Sequence, residues 1–239
     1  MSKELFYTIA EDVFAQFPGY RRGVVIAYDV KNGESPPEIL EMLRQGEASL
    51  REKLDIERLT EHPRIASWRE AYRSFGAKPS KFRSSIEAMT RRALRNQELP
   101  GINALVDIGN ALSLKYLVPT GGHAIDEVTG DLSLRPALGG EEFVPFGSDV
   151  MEHPDPGEIV FVEGDMVLTR RWSWRQANHT LTLPTTTAIE FNVDGLPPVP
   201  RAEVEEICGE VMTLIKRFCG GEMRYEVITE ENPRIRLSR

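Results

Sequence analysis

Asp107-Ile108-Gly109-Asn110-Ala111-Leu112-Ser113-Leu114-Lys115-Tyr116-Leu117, continued by Val118-Pro119-Thr120-Gly121-Gly122-His123-Ala124-Ile125-Asp126, reads as a helix that stops and a strand that begins. Asn103, Asp107 and Asn110 fall at i, i+4 and i+7, so their short polar side chains share one helical face. Leu105, Ile108, Leu112 and Tyr116 cover much of the opposite side. Pro119 cannot continue a helix, and Gly121-Gly122 tolerates the left-handed turn that closes one. Residues 122–128 then alternate toward a strand, with His123 near its start. Such a junction can build a small polar pocket. The same spacing also suits Asn and Asp side chains that face solvent or bond local backbone.

Upstream, 5–9 and 21–30 read as strands, and the run Arg22-Gly23-Val24-Val25-Ile26-Ala27-Tyr28 suits a buried one. Asp12 to Phe17 forms a short helical turn closed by Pro18-Gly19. Pro36 to Leu59 is a charge-rich helix with one apolar seam. After His62-Pro63, the residues Ile65, Trp68 and Tyr72 recur at helical spacing, with Arg69 and Arg73 one turn apart. Lys78 to Arg83 is a basic loop, and Ser84 or Ser85 caps a helix through Leu94. Downstream, β segments are expected at 131–136, 141–146, 157–163, 166–174 and 186–193, with Glu163-Gly164-Asp165 as a tight hairpin. A helix over 201–218 and a strand near 223–229 follow; Asn232 to Arg239 reads as a loose polar tail. Helices and strands do not alternate as βαβ units do. The expectation is therefore an α+β fold, a mixed β-sheet or barrel core with segregated flanking helices.

At 239 residues, a single domain over 1–239 is expected, with a helical part at 34–100 and the pocket helix, β core and closing helix at 101–230. With 41% hydrophobic and 28% charged residues, the chain falls outside the disordered and membrane classes. Met1 to Leu5 leads straight into a mixed segment, so no leader segment is expected. Cys208 and Cys219 lie too far apart along one helix to bridge, so reduced thiols and a cytoplasmic setting are the default. The net charge of −8 argues against indiscriminate nucleic-acid binding. Yet Arg64 to Arg95 carries nine basic and two acidic residues. That is a candidate electrostatic footprint, or equally a solvated helix face.

The combination of motifs resembles the B3/B4 domain of the bacterial phenylalanyl-tRNA synthetase beta subunit. Its residues are Asp107-x-x-Asn110, the leucine-rich helix, and His123-Ala124-x-Asp126. Free-standing B3/B4 proteins are closer still, through Ala71-Tyr72-Arg73-Ser74-Phe75-Gly76, Pro79-Ser80-Lys81, Asn103-Ala104-Leu105-Val106-Asp107 and Arg171-Trp172-Ser173-Trp174-Arg175. The resemblance runs from about Gly19 to Gly220 and implies the same α+β class. It implies an editing domain and not a complete synthetase. Where the synthetase holds a Gly-Gly-Glu segment that recognises a hydroxyl on the mischarged amino acid, this chain has Trp172-Ser173-Trp174-Arg175-Gln176. Thr120-Gly121-Gly122 replaces a Gly-Gln-Pro before the motif histidine.

The implied activity is hydrolysis of the ester in a misacylated tRNA. His123 and Asn110 would sit at the substrate end with Asp107 or Asp126 orienting them, and His123, Asn110 and Asp107 are the candidate catalytic residues. Gly121, Gly122, Asp126, Trp174 and Gln176 are the candidate pocket residues. Arg69, Arg73, Lys78, Lys81, Arg83, Arg91 and Arg92 are candidates for holding the tRNA backbone. Trp172 and Trp174, two residues apart on a strand, could instead pack the core together. Two alternatives stay open: a tRNA-binding module without catalysis, and an amino-acid sensor. The expected partner is aminoacylated tRNA, with no DNA and no membrane, and the oligomeric state is left open. His62, His123, His153 and His179 lack ligand spacing, and no phosphate-loop, dinucleotide or Gly-x-Ser-x-Gly signature occurs. No metal and no cofactor is therefore expected.

Overall fold

In a computed structural model describing residues 4–239, the apolar run at 21–28 is the strand β2 (Arg21–Tyr28), buried on both faces. It is buried because it is an inner strand. β2 pairs antiparallel with β8 (Ala188–Gly195) on one side and β9 (Glu222–Ile228) on the other. β3 (Thr120–Ala124) pairs antiparallel with β8 and closes a four-stranded sheet in the order β3-β8-β2-β9. Side chains alternate across this sheet with the period of two that a strand imposes. Val25, Ala27, Ile189, Phe191 and Val193 join one apolar cluster with α5 (Ala104–Tyr116) and α6 (Arg201–Phe218). Val24 and Ile26 face the other way, toward a second sheet.

That second sheet has six strands, in the order β10-β1-β4-β5-β6-β7. They are β1 (Phe6–Ile9), β4 (Leu132–Pro136), β5 (Ile159–Glu163), β6 (Met166–Arg170), β7 (Arg175–Gln176) and β10 (Arg234–Arg236). β1 and β4 run parallel and the other pairs antiparallel, so the sheet is mixed. The helices α2 (Pro37–Lys53), α3 (Pro63–Ser74) and α4 (Ser85–Leu94) gather at one side and complete the core with Leu43, Leu50, Ile65, Trp68 and Ile86. A short helix, α1 (Glu11–Gln16), follows β1. The α+β class is as expected, with two facing sheets and no closed barrel. Among the described residues, no helix is long and apolar enough to cross a membrane.

Local expectations change: the helix expected over 36–59 ends at Lys53, and the strand expected over 122–128 ends at Ala124. The tail is not loose: β10 pairs antiparallel with β1, and Ile235 and Leu237 are 3% and 1% exposed, because two apolar side chains in that polar segment find the core. The segment 141–146 makes only isolated bridges, through Glu142, Phe143 and Pro145. The strand expected at 166–174 ends at Arg170, where Arg171 and Trp172 adopt φ of 47° and 64° and turn the chain back into β7. Two consecutive left-handed residues without glycine are costly, on the order of 1–2 kcal/mol each. Packing imposes them. Trp172 sits edge-on to Phe17, Tyr20 and Trp68 at 4.7, 4.7 and 5.1 Å, and Arg171 N–H donates to the buried Glu158 at 3.1 Å.

Candidate functional site

Between the two sheets, a chain of buried polar side chains runs where a core would ordinarily be apolar. The polar residues of β8 start it, since Glu190, Asn192 and Asp194 alternate with Ile189, Phe191 and Val193 and so share one face. Asp194 Oδ1 accepts from Arg22 Nε at 2.7 Å and Tyr20 O–H at 2.5 Å, with a further Arg22 nitrogen 2.7 Å away. Arg22 also donates to the Tyr7 hydroxyl, which in turn donates to Asn192 Oδ1 at 3.1 Å. Asn192 Nδ2 donates to Glu190 Oε1 at 3.0 Å. Burial alone would pull the Arg22 pKa down, but Asp194 and the two tyrosine oxygens outweigh it and hold it well above the usual value. Burial likewise raises the Tyr7 and Tyr20 hydroxyls far above theirs.

The chain of contacts ends on His123. The register of β3 on β8 sets His123 opposite Glu190, on the inter-sheet face. Its Nδ1 lies 2.5 Å from Glu190 Oε1 and its Nε2 lies 2.7 Å from Thr169 Oγ1. The ring packs on Phe161 at 4.9 Å and is 7% exposed. A cavity of about 190 Å³ opens beside it, walled by His123, Thr169, Trp172, Trp174, Gln176 and Asp194 among others. Gly121 and Gly122 form part of the same wall, and a Cβ on Gly121 would meet nothing within 4 Å. The volume is below the roughly 300–1,000 Å³ of drug-sized sites, so it suits a smaller group.

Of the pocket residues expected from sequence, His123, Gly121, Gly122, Trp174 and Gln176 converge on this cavity. Gln176 reaches the Thr180 carbonyl at 2.9 Å. Asp107 and Asn110 do not join them, which corrects the expected hollow shared with His123. They sit on α5, which packs on the helix side of the four-stranded sheet, whereas His123 faces the other side. The strand's own alternation separates them. Asp107 is fully buried and accepts from Ser35 Oγ at 2.5 Å and Ile102 N–H at 2.9 Å, an anion seated at the first turn of its helix. Asn110 is half-buried and takes no part in the cavity wall. Asp126 is also elsewhere: its Oδ1 accepts from Thr187 N–H at 3.0 Å and Ala188 N–H at 3.1 Å and ties the end of β3 to the start of β8.

The basic segment divides too. Lys81, Arg83, Arg91 and Arg92 line one groove, with Arg95 and Gln97 beside them and no acidic side chain in its wall. Arg69, Arg73 and Lys78 lie outside that groove. Arg69 is held by the buried Glu87 at 2.8 Å, and Arg73 pairs with Glu70 at 2.8 Å. Glu87 also takes Arg91 at 2.9 Å and stands 3.9 Å from Arg83, so one carboxylate gathers three guanidinium groups. Trp174 lines both the groove and the His123 cavity. It forms the partition with Phe82, 5.0 Å away edge-on, while the Arg171 guanidinium lies over both rings at 3.7 Å (Phe82) and 4.6 Å (Trp174). The two tryptophans thus divide, Trp172 to the core and Trp174 to the boundary, because a turn rather than a strand joins them.

Sequence reasoning missed Thr169, Glu190 and the Arg22–Asp194 pair. Glu190, Asn192 and Asp194 carried a signal, a polar stripe of period two inside an otherwise apolar strand. Thr169 carried none, since its direction depends on a break in strand register described below. Among the described residues, no group of three or more His, Cys, Asp or Glu side chains is placed to hold a metal ion.

The B3/4 domain family matches residues 67–220. Among solved structures, the chain is similar to an N-terminal fragment of the phenylalanyl-tRNA synthetase beta-subunit from Pyrococcus horikoshii, at 10% identity and a TM-score of 0.47. That similarity covers 93% of this chain and 51% of the other, so the chain spans about half the length of that structure. No curated protein matches the chain.

Proposed function

Because the chain belongs to the B3/4 domain family, we propose that it binds tRNA and hydrolyses the ester of a misacylated one. The observation that carries this reading is the shared wall. A cation-lined groove and a small cavity holding a buried histidine meet at Trp174. A polyanionic strand laid along Lys81, Arg83, Arg91, Arg92 and Arg95 would bring its end to that partition. The aminoacyl group would then enter the cavity beside His123. The ester is intrinsically labile, so holding it against an oriented base supplies most of what the reaction needs.

The test uses a panel of mischarged tRNAs. The protein releases the amino acid from at least one of them faster than the spontaneous rate, and His123→Ala lowers that rate by roughly 10²–10⁴-fold. No release from any member, or wild-type release by His123→Ala, would end the claim. On binding, Arg92→Ala and Arg95→Ala each weaken tRNA affinity across sequences and reduce the salt slope by about 1. Arg201→Ala, on the far helix and paired with Glu205, changes neither.

A second reading has one observation in its favour. Both ring nitrogens of His123 are already satisfied within the protein, as they would be in a tRNA-binding module without catalysis. Retention of tRNA at low salt with no deacylation across the panel would select it.

A further inference from the structure

The contact between Thr169 and His123 exists because β6 breaks register. Phe161 pairs with Thr169, but the next residue, Val162, pairs with Val167, so Leu168 is an extra residue in β6. Val167 faces the outer cluster with Val160 and Val162, and Leu168 faces the inner core. Strict alternation would send Thr169 outward again. The bulge keeps it inward, on the cavity wall, 2.7 Å from His123 Nε2. Bulges of this kind re-aim one side chain, often beside a site of chemistry.

A Glu190 carboxylate can only accept at Oε1, so His123 Nδ1 carries the proton of that contact. When the ring is neutral, Nε2 is the acceptor and Thr169 O–H donates to it. That is a hydroxyl, an imidazole and a carboxylate in the order that activates a hydroxyl nucleophile. Glu190 Oε2 is buried with no hydrogen-bond partner among the described residues.

We propose that Thr169 is a catalytic nucleophile, with His123 as its base and Glu190 as the positioning residue, so that ester cleavage passes through an acyl-threonine. This deepens the hydrolytic reading above and rests on it. Thr169 Oγ1 bonds to the ester carbonyl carbon while its proton passes to His123 Nε2. The bond from that carbon to the ribose oxygen breaks, and the ribose oxygen takes the proton from Nε2. Water then attacks the acyl-threonine, giving one proton to Nε2, which returns it to the departing Thr169 Oγ1. The sum is ester plus water to acid plus alcohol.

The experiment exposes the full-length protein to a p-nitrophenyl ester and to a fluorophosphonate, neither of which needs tRNA, and maps any adduct by peptide mass spectrometry after acid quench. A single adduct on Thr169 is expected. It is retained in Thr169→Ser and lost in both Thr169→Val and His123→Ala. Glu190→Gln slows acylation by roughly tenfold or more at unchanged KM, and Glu190→Asp recovers part of the rate, which a purely structural carboxylate would not do. An adduct elsewhere, no adduct with either probe, or wild-type turnover by Thr169→Val overturns the proposal. The mischarged-tRNA panel separates the two claims. Deacylation that survives in Thr169→Val but not in His123→Ala removes the nucleophile and leaves hydrolysis standing. A labelled Thr169 in a protein that deacylates no tRNA removes the substrate assignment and leaves the nucleophile.

Discussion

The two faces of the four-stranded sheet are built from the same strands and obey opposite rules. Toward α5 and α6, β8 presents Ile189, Phe191 and Val193 to an apolar cluster with Ile108, Leu112, Val204 and Ile207. Toward the six-stranded sheet, it presents Glu190, Asn192 and Asp194 to His123, Tyr7, Arg22 and Tyr20. The dry face needs only volume and fit. The polar face needs each group to find a partner, since a buried charge without one is expensive. Specificity of position therefore concentrates on the polar face, and that face carries the cavity.

The largest effect expected from disturbing this contrast is at Asp194. Asp194→Ala leaves the buried Arg22 guanidinium uncompensated and costs about 3–5 kcal/mol, read as a fall in the urea midpoint. A loss below about 1 kcal/mol would mean that water already reaches Arg22. Smaller is the cost of overfilling the apolar side. A Cβ on Gly23 would collide with Cys208 Sγ and come within 2.9 Å of Val204, so Gly23→Ala costs about 1–3 kcal/mol. Adding Cys208→Ala recovers part of that loss, and strict additivity would refute the contact.

The mildest effect is on pH dependence. Burial pushes the Cys208 thiol up to about 12 and the Cys219 thiol up to about 11. Raised folded-state values favour the neutral thiols of the native protein. That stability is complete below the unfolded thiol value and declines as pH rises from about 9 toward 11–12. Unfolding midpoints should therefore fall across that range, less so in Cys208→Ala. At pH 8 a thiol reagent should label Cys208 no faster than the protein unfolds; rapid labelling would show that the helix face is open to water.

How much of this was legible in the chain differs by region. Helices announced themselves well: the expected 201–218 coincides with α6, and the expected 84/85–94 with α4. The α4 start was readable because the Ser84 side chain accepts from Glu87 N–H and caps it. The tight hairpin at Glu163-Gly164-Asp165 was readable from Gly164, whose φ of 58° a glycine supplies without strain. The pocket was half legible. The motif and the resemblance pointed to His123, Gly121, Gly122, Trp174 and Gln176, but the same motif also grouped Asp107 and Asn110 with them, from one helical face. Proximity in sequence says nothing about which side of a sheet a residue occupies.

The sequence by itself determined the periodicities. They set which stretches become helices or strands, where serine, proline and glycine stop them, and that Glu190, Asn192 and Asp194 share one face of their strand. Those are local properties, written in spacing and side-chain type. Only the tertiary structure decided that the partners of that face are Arg22, Tyr7, Tyr20 and His123, that Asp107 lies behind the sheet, and that a single extra residue in β6 turns Thr169 toward the imidazole. Pairing register and sheet-to-sheet facing are set by contacts between segments far apart in the chain, and no window of sequence contains both partners.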